Sequence, residues 1–267
     1  MTNSGSDSDS PPRSAFATSF NSVAASYAAL RPGYPPALFT AVETLAGRPF
    51  AGADVLDVGA GTGIATRLMR ERGARVTAVE PGAGMAAQLR AGLPGLPLVR
   101  ADGNALPFAP GSADLVTYAQ AWHWTDPARS VPEAVRVLRA GGALALWWNV
   151  PDLDTGWVQA QAGRFRDRVT GYHRFGLTHS SASIIEALGL PLRVLGDEVR
   201  WTRRVSLEEH LANLGTHSYF ALLGQEERAE IFADERAELL KVFPDGIVDE
   251  PYLVDVTVAV RDRADRP

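Results

Sequence analysis

Three alternate glycines, an acid two residues before them and a second acid seventeen residues after the last are the residues of this chain most suited to chemistry. They lie in Val55-Leu-Asp-Val-Gly-Ala-Gly-Thr-Gly63 and in Arg75-Val-Thr-Ala-Val-Glu80. Gly59, Gly61 and Gly63 let a backbone turn tightly and approach a ligand with no Cβ between them, and a helix that follows directs its first N–H groups at that ligand. The chemistry indicated is therefore the binding of a nucleotide-like cofactor. A dinucleotide fingerprint requires G-x-G-x-x-G, but the third glycine is replaced by Ile64 in one frame and by Thr66 in the other. Asp57 would also repel a pyrophosphate, whereas it suits a ligand carrying an ammonium group.

The glycine stretch resembles the first motif of the class I S-adenosylmethionine-dependent methyltransferases, and Glu80 stands where that family has its ribose-binding acid. Further segments follow in the family's order. Arg100-Ala-Asp-Gly-Asn-Ala-Leu-Pro-Phe108 is similar to the adenine-side motif, Gly111-Ser-Ala-Asp-Leu-Val116 leads a fourth strand, and Arg136-Val-Leu-Arg-Ala-Gly-Gly142 turns into a fifth. Two elements resemble the small-molecule enzymes similar to trans-aconitate methyltransferase: Tyr27-Ala-Ala-Leu-Arg-Pro-Gly-Tyr-Pro35 near the N-terminus and Gln120-Ala-Trp-His-Trp124 after strand four. The resemblance is specific over about residues 20 to 150 and looser beyond.

From it follow the expected roles. S-adenosylmethionine is the implied cofactor and S-adenosylhomocysteine the product. The backbone of Gly59, Ala60, Gly61 and Gly63 would lie under the methionine part, with Asp57 beside it. Glu80 would hold the ribose, and Pro81 and Met85 would flank ribose and adenine. Asp102 would receive the adenine amino group, with Gly103 and Asn104 along the ring and Gln120 at the next strand end. Arg31 would pair with the cofactor carboxylate, while Tyr27 and Tyr34 would line a lid offering electron-rich rings to the sulfonium. Trp122, His123 and Trp124 would meet the methyl acceptor, His123 as a contact or a base, since imidazole exchanges a proton near neutral pH. His217 and Tyr219, in a Thr-His-Ser-Tyr version of a shared serine-tyrosine pattern, would face the same pocket. Trp147 and Trp148 are adjacent on a strand, so at most one reaches the ligand. The expected reaction is in-line methyl transfer to a small molecule, to a carboxylate or hydroxyl oxygen. A catalytically silent cofactor-binding protein is the first alternative, and a nicotinamide-dependent oxidoreductase the second.

These residues need elements to hold them. Apolar strands alternate with helical segments from residue 53 to residue 150, which implies βαβ units in a parallel sheet. The expectation is a Rossmann-like α/β fold: a seven-stranded, mostly parallel sheet with helices on both faces, the last strand antiparallel and a helical lid at the N-terminus. Strands are expected at 53–58, 75–80, 98–101, 114–120 and 142–150, with two more at about 192–204 and 252–260. Helices are expected at 37–45, 64–72 and 82–91, and near 155–170, 180–188, 206–214 and 225–241. Ser130-Val-Pro-Glu133 reads as the capping box that opens another, ended by Gly141-Gly142, and Ser206-Leu-Glu-Glu209 as a second box. Residues 1–13, rich in Ser, Asp and Pro, read as a disordered tail, 14–36 as the lid, and 37–267 as the domain, with helical additions within about 151–245.

Composition narrows the partners. The 267 residues are 46% hydrophobic, enough for a full core, and 26 basic against 31 acidic residues give a net charge of −5. That balance lacks the electrostatic footprint of a nucleic-acid binder. With no cysteine in the chain there is no disulfide, thiol nucleophile or thiolate metal site, and the five histidines have no metal-ligand spacing. No apolar run is long enough to cross a membrane, so the expected place is the cytoplasm.

Overall fold

The computed structural model describes residues 31–170, 172, 181–221 and 223–262. The expected lid helix and Tyr27 lie outside them. Strands β1 (Asp54–Val58), β2 (Arg75–Val79), β3 (Leu98–Val99), β4 (Ala113–Ala119), β5 (Leu138–Pro151), β6 (Leu192–Ser206) and β7 (Ile247–Arg261) form one sheet in the order β3-β2-β1-β4-β5-β7-β6. The first five pair in parallel. The last strand, β7, runs antiparallel to both β5 and β6, with a fifteen-residue ladder from Leu192 opposite Arg261 to Ser206 opposite Ile247. β1 and β4 are buried along nearly their whole length, as parallel strands covered on both faces must be.

Helices α1 (Pro36–Ala46), α2 (Ile64–Glu71), α3 (Ala83–Gly92) and α4 (Pro127–Val137) flank this half. α1 has proline in its first turn and stops at Gly47, whose φ of +65° lets its N–H reach the carbonyls of Glu43 and Thr44. Two apolar layers result. Phe39, Phe50, Met69 and Trp147 pack on one face of the sheet, and Tyr118, Trp122, Val131 and Trp148 on the other. Trp147 and Trp148 thus face opposite sides as strand alternation requires, and both are fully buried.

Two local expectations are corrected. α4 begins at Pro127, with the Asp126 carboxylate accepting the Ala128 N–H at 3.0 Å. Aspartate followed by proline is a complete cap in itself, so Ser130 is left inside the helix. There its hydroxyl accepts the Trp122 indole N–H at 3.0 Å, and Glu133 accepts the Leu106 N–H instead. Nor do Gly141 and Gly142 end that helix: it stops at Val137, and the glycines sit inside β5, where the ladder with β4 shifts register. A Cβ on Gly142 would lie 2.9 Å from two backbone oxygens, so only glycine passes there. By contrast, the Ser206 and Glu209 box caps its helix with both reciprocal bonds formed.

The remaining helices are α5 (Gly156–Arg168), α6 (Ser181–Ala187), α7 (Leu207–Leu214), α8 (Ser218–Ala221) and α9 (Gln225–Val242). α5 and α7 to α9 build a third apolar core from Phe165, Leu211, Phe220, Ile231 and Leu239. This second lobe stands beside the carboxyl ends of β4 and β5.

Candidate functional site

In an open α/β sheet ligands bind beyond the carboxyl ends of the strands, and a cavity of about 770 Å³ opens there. Its floor is the turn out of β1. Gly59, Gly61 and Gly63 have φ of +69°, +58° and +89°, a region that glycine enters without strain. The Gly59 and Ala60 N–H groups donate to the Val79 carbonyl at 2.8 and 3.2 Å, which ties the turn to the end of β2. A Cβ on Gly59 would press on Ala121 Cβ at 2.4 Å, whereas one on Gly61 would meet nothing nearer than 4.0 Å and would stand in the cavity. Gly63 is not on the cavity wall: it caps α2 and packs under Leu89 and Leu93.

Glu80 follows β2 and lines the cavity. One carboxylate oxygen accepts the Gly61 N–H at 2.8 Å and the other the Gly82 N–H at 2.7 Å. Burial pushes this carboxyl up from its ordinary range, while those two N–H groups and the Arg100 charge hold it down. Pro81, Met85, Asp102, Gly103 and Asn104 lie on the same wall. Asp102 accepts the Asn104 N–H at 2.9 Å, and the Asn104 side chain accepts from Asp126 N–H.

Asp57 is elsewhere. Fully buried beneath the glycine turn, it accepts hydroxyl hydrogens from Thr66 at 2.5 Å and Thr117 at 3.1 Å and does not reach the cavity. Burial raises its carboxyl to about 6. The expected ammonium partner is therefore not found at Asp57, because this side chain points into the sheet and clamps α2 to β4.

Beyond β4, Gln120 adopts φ +54°, a costly conformation for a residue with a Cβ. Its amide lies 3.5 Å from the Tyr34 hydroxyl, and both residues line the cavity. The short 3₁₀ turn Trp122–Trp124 then divides its aromatic residues. His123 and Trp124 face the cavity with ring centroids 4.6 Å apart. Trp122 does not, since its indole is buried against Trp148 and bonded to Ser130.

The far wall comes from the second lobe. α5 supplies Val158, Gln161, Ala162, Phe165 and Arg166, and Tyr172, Leu214, His217 and Tyr219 complete it. Arg31 Nη1 approaches His217 Nε2 at 3.4 Å and the Tyr219 oxygen lies 2.8 Å from His217 Nδ1. A guanidinium can only donate, so Nε2 accepts and the proton sits on Nδ1. Burial, followed by the Arg31 charge, holds this imidazole well below its usual range, so it is neutral at neutral pH. Of the expected contacts, the described residues bring together Arg31, Tyr34, Gly59, Ala60, Gly61, Glu80, Pro81, Met85, Asp102, Gly103, Asn104, Gln120, His123, Trp124, His217 and Tyr219.

Sequence reasoning passed over Thr62, Asn149, Gln161 and Phe165. Thr62 lies inside the glycine motif, a signal available from sequence, and its buried hydroxyl has no hydrogen-bond partner among the described residues. The other three carry no local motif. Among the described residues there is no cluster of metal-binding side chains, and no helix is long and apolar enough to cross a membrane.

Residues 56–146 match the family described as a methyltransferase domain. An uncharacterised methyltransferase of Mycobacterium tuberculosis is 45% identical over 159 residues, covering 57% of this chain and 63% of that protein. The match thus spans less than two thirds of that relative's length. A candidate type II methyltransferase from Anaeromyxobacter dehalogenans shares the fold with a TM-score of 0.66 and 24% identity, over 88% of this chain and 99% of that one. So does the phosphoethanolamine N-methyltransferase 2 of Haemonchus contortus, solved with S-adenosyl-L-methionine, with a TM-score of 0.54 and 15% identity over 97% of this chain and 61% of that one.

Proposed function

We propose that this chain, which carries a domain of the class I S-adenosylmethionine-dependent methyltransferase family, methylates an oxygen of a small organic molecule with S-adenosylmethionine as donor. The observation that carries this reading is one continuous cavity with a glycine turn and Glu80 at one end and an aromatic, aliphatic wall at the other. Its volume falls in the range of small-molecule sites, which suits a nucleoside ligand beside a compact acceptor. The lining residues fit the cofactor. A Cβ at Gly61 would occupy the ligand's space, and beside the turn Thr62 keeps a buried hydroxyl without a partner among the described residues. Glu80, Pro81, Met85, Gly103 and Asn104 would hold the adenosine part, and Arg31 the carboxylate. When bound, the cofactor supplies an electrophilic methyl group on a sulfonium.

What the chain does is position and exclude water. Holding two reactants in line reduces a barrier by about 7 to 11 kcal/mol at best, so the fixed wall is as important as any base. The acceptor end is walled by Val158, Ala162, Phe165, Leu214 and Trp124, and His217 there is neutral. The apolar part of this wall suits a hydroxyl acceptor, and Arg166 on the same wall suits a carboxylate. With a hydroxyl acceptor, His123, which lines the cavity, would take its proton. Calorimetry with S-adenosylmethionine, S-adenosylhomocysteine and NAD tests the cofactor: the first two are expected to bind and NAD is not. S-adenosylhomocysteine release over a panel of phenols and small acids tests turnover. Binding without release on any acceptor would make the chain a silent cofactor-binding protein.

A further inference from the structure

Behind the acceptor wall lies a side chamber of about 50 Å³ that shares Asn149, Gln161 and His217 with the main cavity. It is floored by Asn213, Glu250 and Tyr252. Three amides meet there, each more than nine-tenths buried, and the orientation of each is set by its neighbours. The Trp201 indole can only donate, and it donates to Asn149 Oδ1 at 2.9 Å, so Asn149 turns its NH₂ the other way. Gln161 donates from Nε2 to the Glu235 carboxylate at 3.0 Å and to His210 Nε2 at 2.9 Å, so what it offers the wall is its carbonyl oxygen. Tyr252 gives its proton to Glu250 at 3.1 Å, and Asn213 Nδ2 lies toward the Tyr252 oxygen at 3.5 Å. Asn149 Nδ2 and Asn213 Oδ1 are then left buried with no partner among the described residues.

A buried amide group without a partner costs about 1–3 kcal/mol, and natural interiors rarely leave several together. The chamber holds little more than a water or one small polar group. Glu250 is matched by Arg203 at 2.7 Å and His210 at 2.7 Å, and the Arg31 guanidinium, which also lines the chamber, directs Nη1 at His217 Nε2. A carboxylate entering it would set its acceptor-only oxygens against the Gln161 and Asn213 carbonyls and beside Glu250. A neutral group that donates to two carbonyls and accepts one N–H meets every demand.

We propose that this chamber is a recognition subsite for a neutral, hydrogen-bond-donating handle on the methyl acceptor, a primary carboxamide, held by Asn149, Gln161 and Asn213. The proposal rests on the methyltransferase reading of the adjoining cavity and narrows its acceptor class. Phenylpropanamide, phenylpropanol and phenylpropanoate serve as probes, since their ring suits the Phe165 and Trp124 wall. They are titrated by calorimetry into the full chain saturated with S-adenosylhomocysteine. The amide is expected to bind about tenfold tighter than the acid, the scale of one buried hydrogen bond, with the alcohol, which has one hydrogen to give, between them. Asn213→Ala removes one carbonyl and is expected to abolish most of that preference. Asn149→Asp keeps the acceptor for Trp201 but adds a negative charge that repels the acid, so it is expected to widen the preference, and both variants should leave S-adenosylhomocysteine affinity within about twofold and the thermal melt cooperative. Equal binding of the three probes, tighter binding of the acid, no binding of any at millimolar concentration, or an unchanged preference in both variants would overturn the proposal and leave the chamber to water. Failure of S-adenosylhomocysteine itself to bind the unaltered chain would instead strike the cofactor reading, and that is read in a separate titration.

Discussion

Replacing Glu80 by Gln tests the site where loop geometry and ligand binding share one side chain. Each Glu80 oxygen accepts one backbone N–H, from Gly61 and from Gly82. An amide has a single oxygen, so one of those N–H groups would face an NH₂. Stranding a buried donor costs about 1–3 kcal/mol. Relief of the desolvation that raises the Glu80 carboxyl offsets part of this, so a net loss of about 1–2 kcal/mol is expected. At about 2–4 °C per kcal/mol for a domain of this size, the melting midpoint should fall by roughly 2–8 °C. If the same carboxylate also holds the ribose, the variant loses a charge-assisted acceptor worth about 1.5–3 kcal/mol, or about 10- to 150-fold in affinity. Differential scanning calorimetry and isothermal titration with S-adenosylhomocysteine read the two effects separately. A lower midpoint with unchanged affinity would make Glu80 a clasp for the glycine turn and nothing more. An unchanged midpoint and affinity together would refute the reasoning altogether.

Three further outcomes are expected. Gly61→Val should melt cooperatively, at a backbone strain of about 1–3 kcal/mol for its positive φ, yet bind no S-adenosylhomocysteine, whereas Gly59→Ala, whose Cβ meets Ala121 at 2.4 Å, should lose far more stability. Normal binding by the Gly61 variant would show that the glycine serves the turn alone. Asp57 has its carboxyl raised to about 6 from 3.8, so its contribution to stability is full below about pH 4 and is lost as pH rises through 6. Asp57→Asn should therefore match the parent in midpoint at pH 4 and exceed it at pH 7.5, by about 3 kcal/mol at most, and a difference that ignores pH between those limits would contradict that account. His123→Ala should keep cofactor affinity within about 0.5 kcal/mol. A fall in turnover of about 10²–10⁴-fold marks a general base, a few-fold fall marks a positioning contact, and a large loss of cofactor affinity would refute the placement of His123 at the acceptor.

The glycine-turn end of the cavity was legible because its signals are local. Turn, glycine spacing and strand-closing acid lie within Val55 to Glu80, and each depends on neighbours in sequence. The Ser206–Glu209 cap was readable for the same reason, its partners being three residues apart. Ser130 and Glu133 matched the same pattern and failed because an aspartate-proline cap stood upstream and the Trp122 indole took the serine. Asp57 shows the other limit: its place in the motif was right, but the hydroxyls that turn it inward come from Thr66 and from Thr117, sixty residues away. Of the far wall, His217 and Tyr219 were read from sequence and the residues of α5 were not. Gln161 draws its orientation from residues 49 and 74 positions distant, and no window of sequence contains them.

A chain of hydrogen bonds runs from Arg164 and Gln161 on α5 through His210 on α7 to Glu250 and Arg203 on the sheet, and it crosses between the two lobes at the His210–Glu250 contact. An oily seam tolerates sliding, since apolar atoms gain nearly as much from one contact as from the next. A chain of hydrogen bonds has one register. The helices that shape the acceptor wall keep their own apolar core, so residues there are replaceable without disturbing the glycine turn. The polar seam then returns each repacked lobe to the same distance and angle from it. Such an arrangement lets the side chains of one wall be exchanged while the glycine turn keeps its geometry.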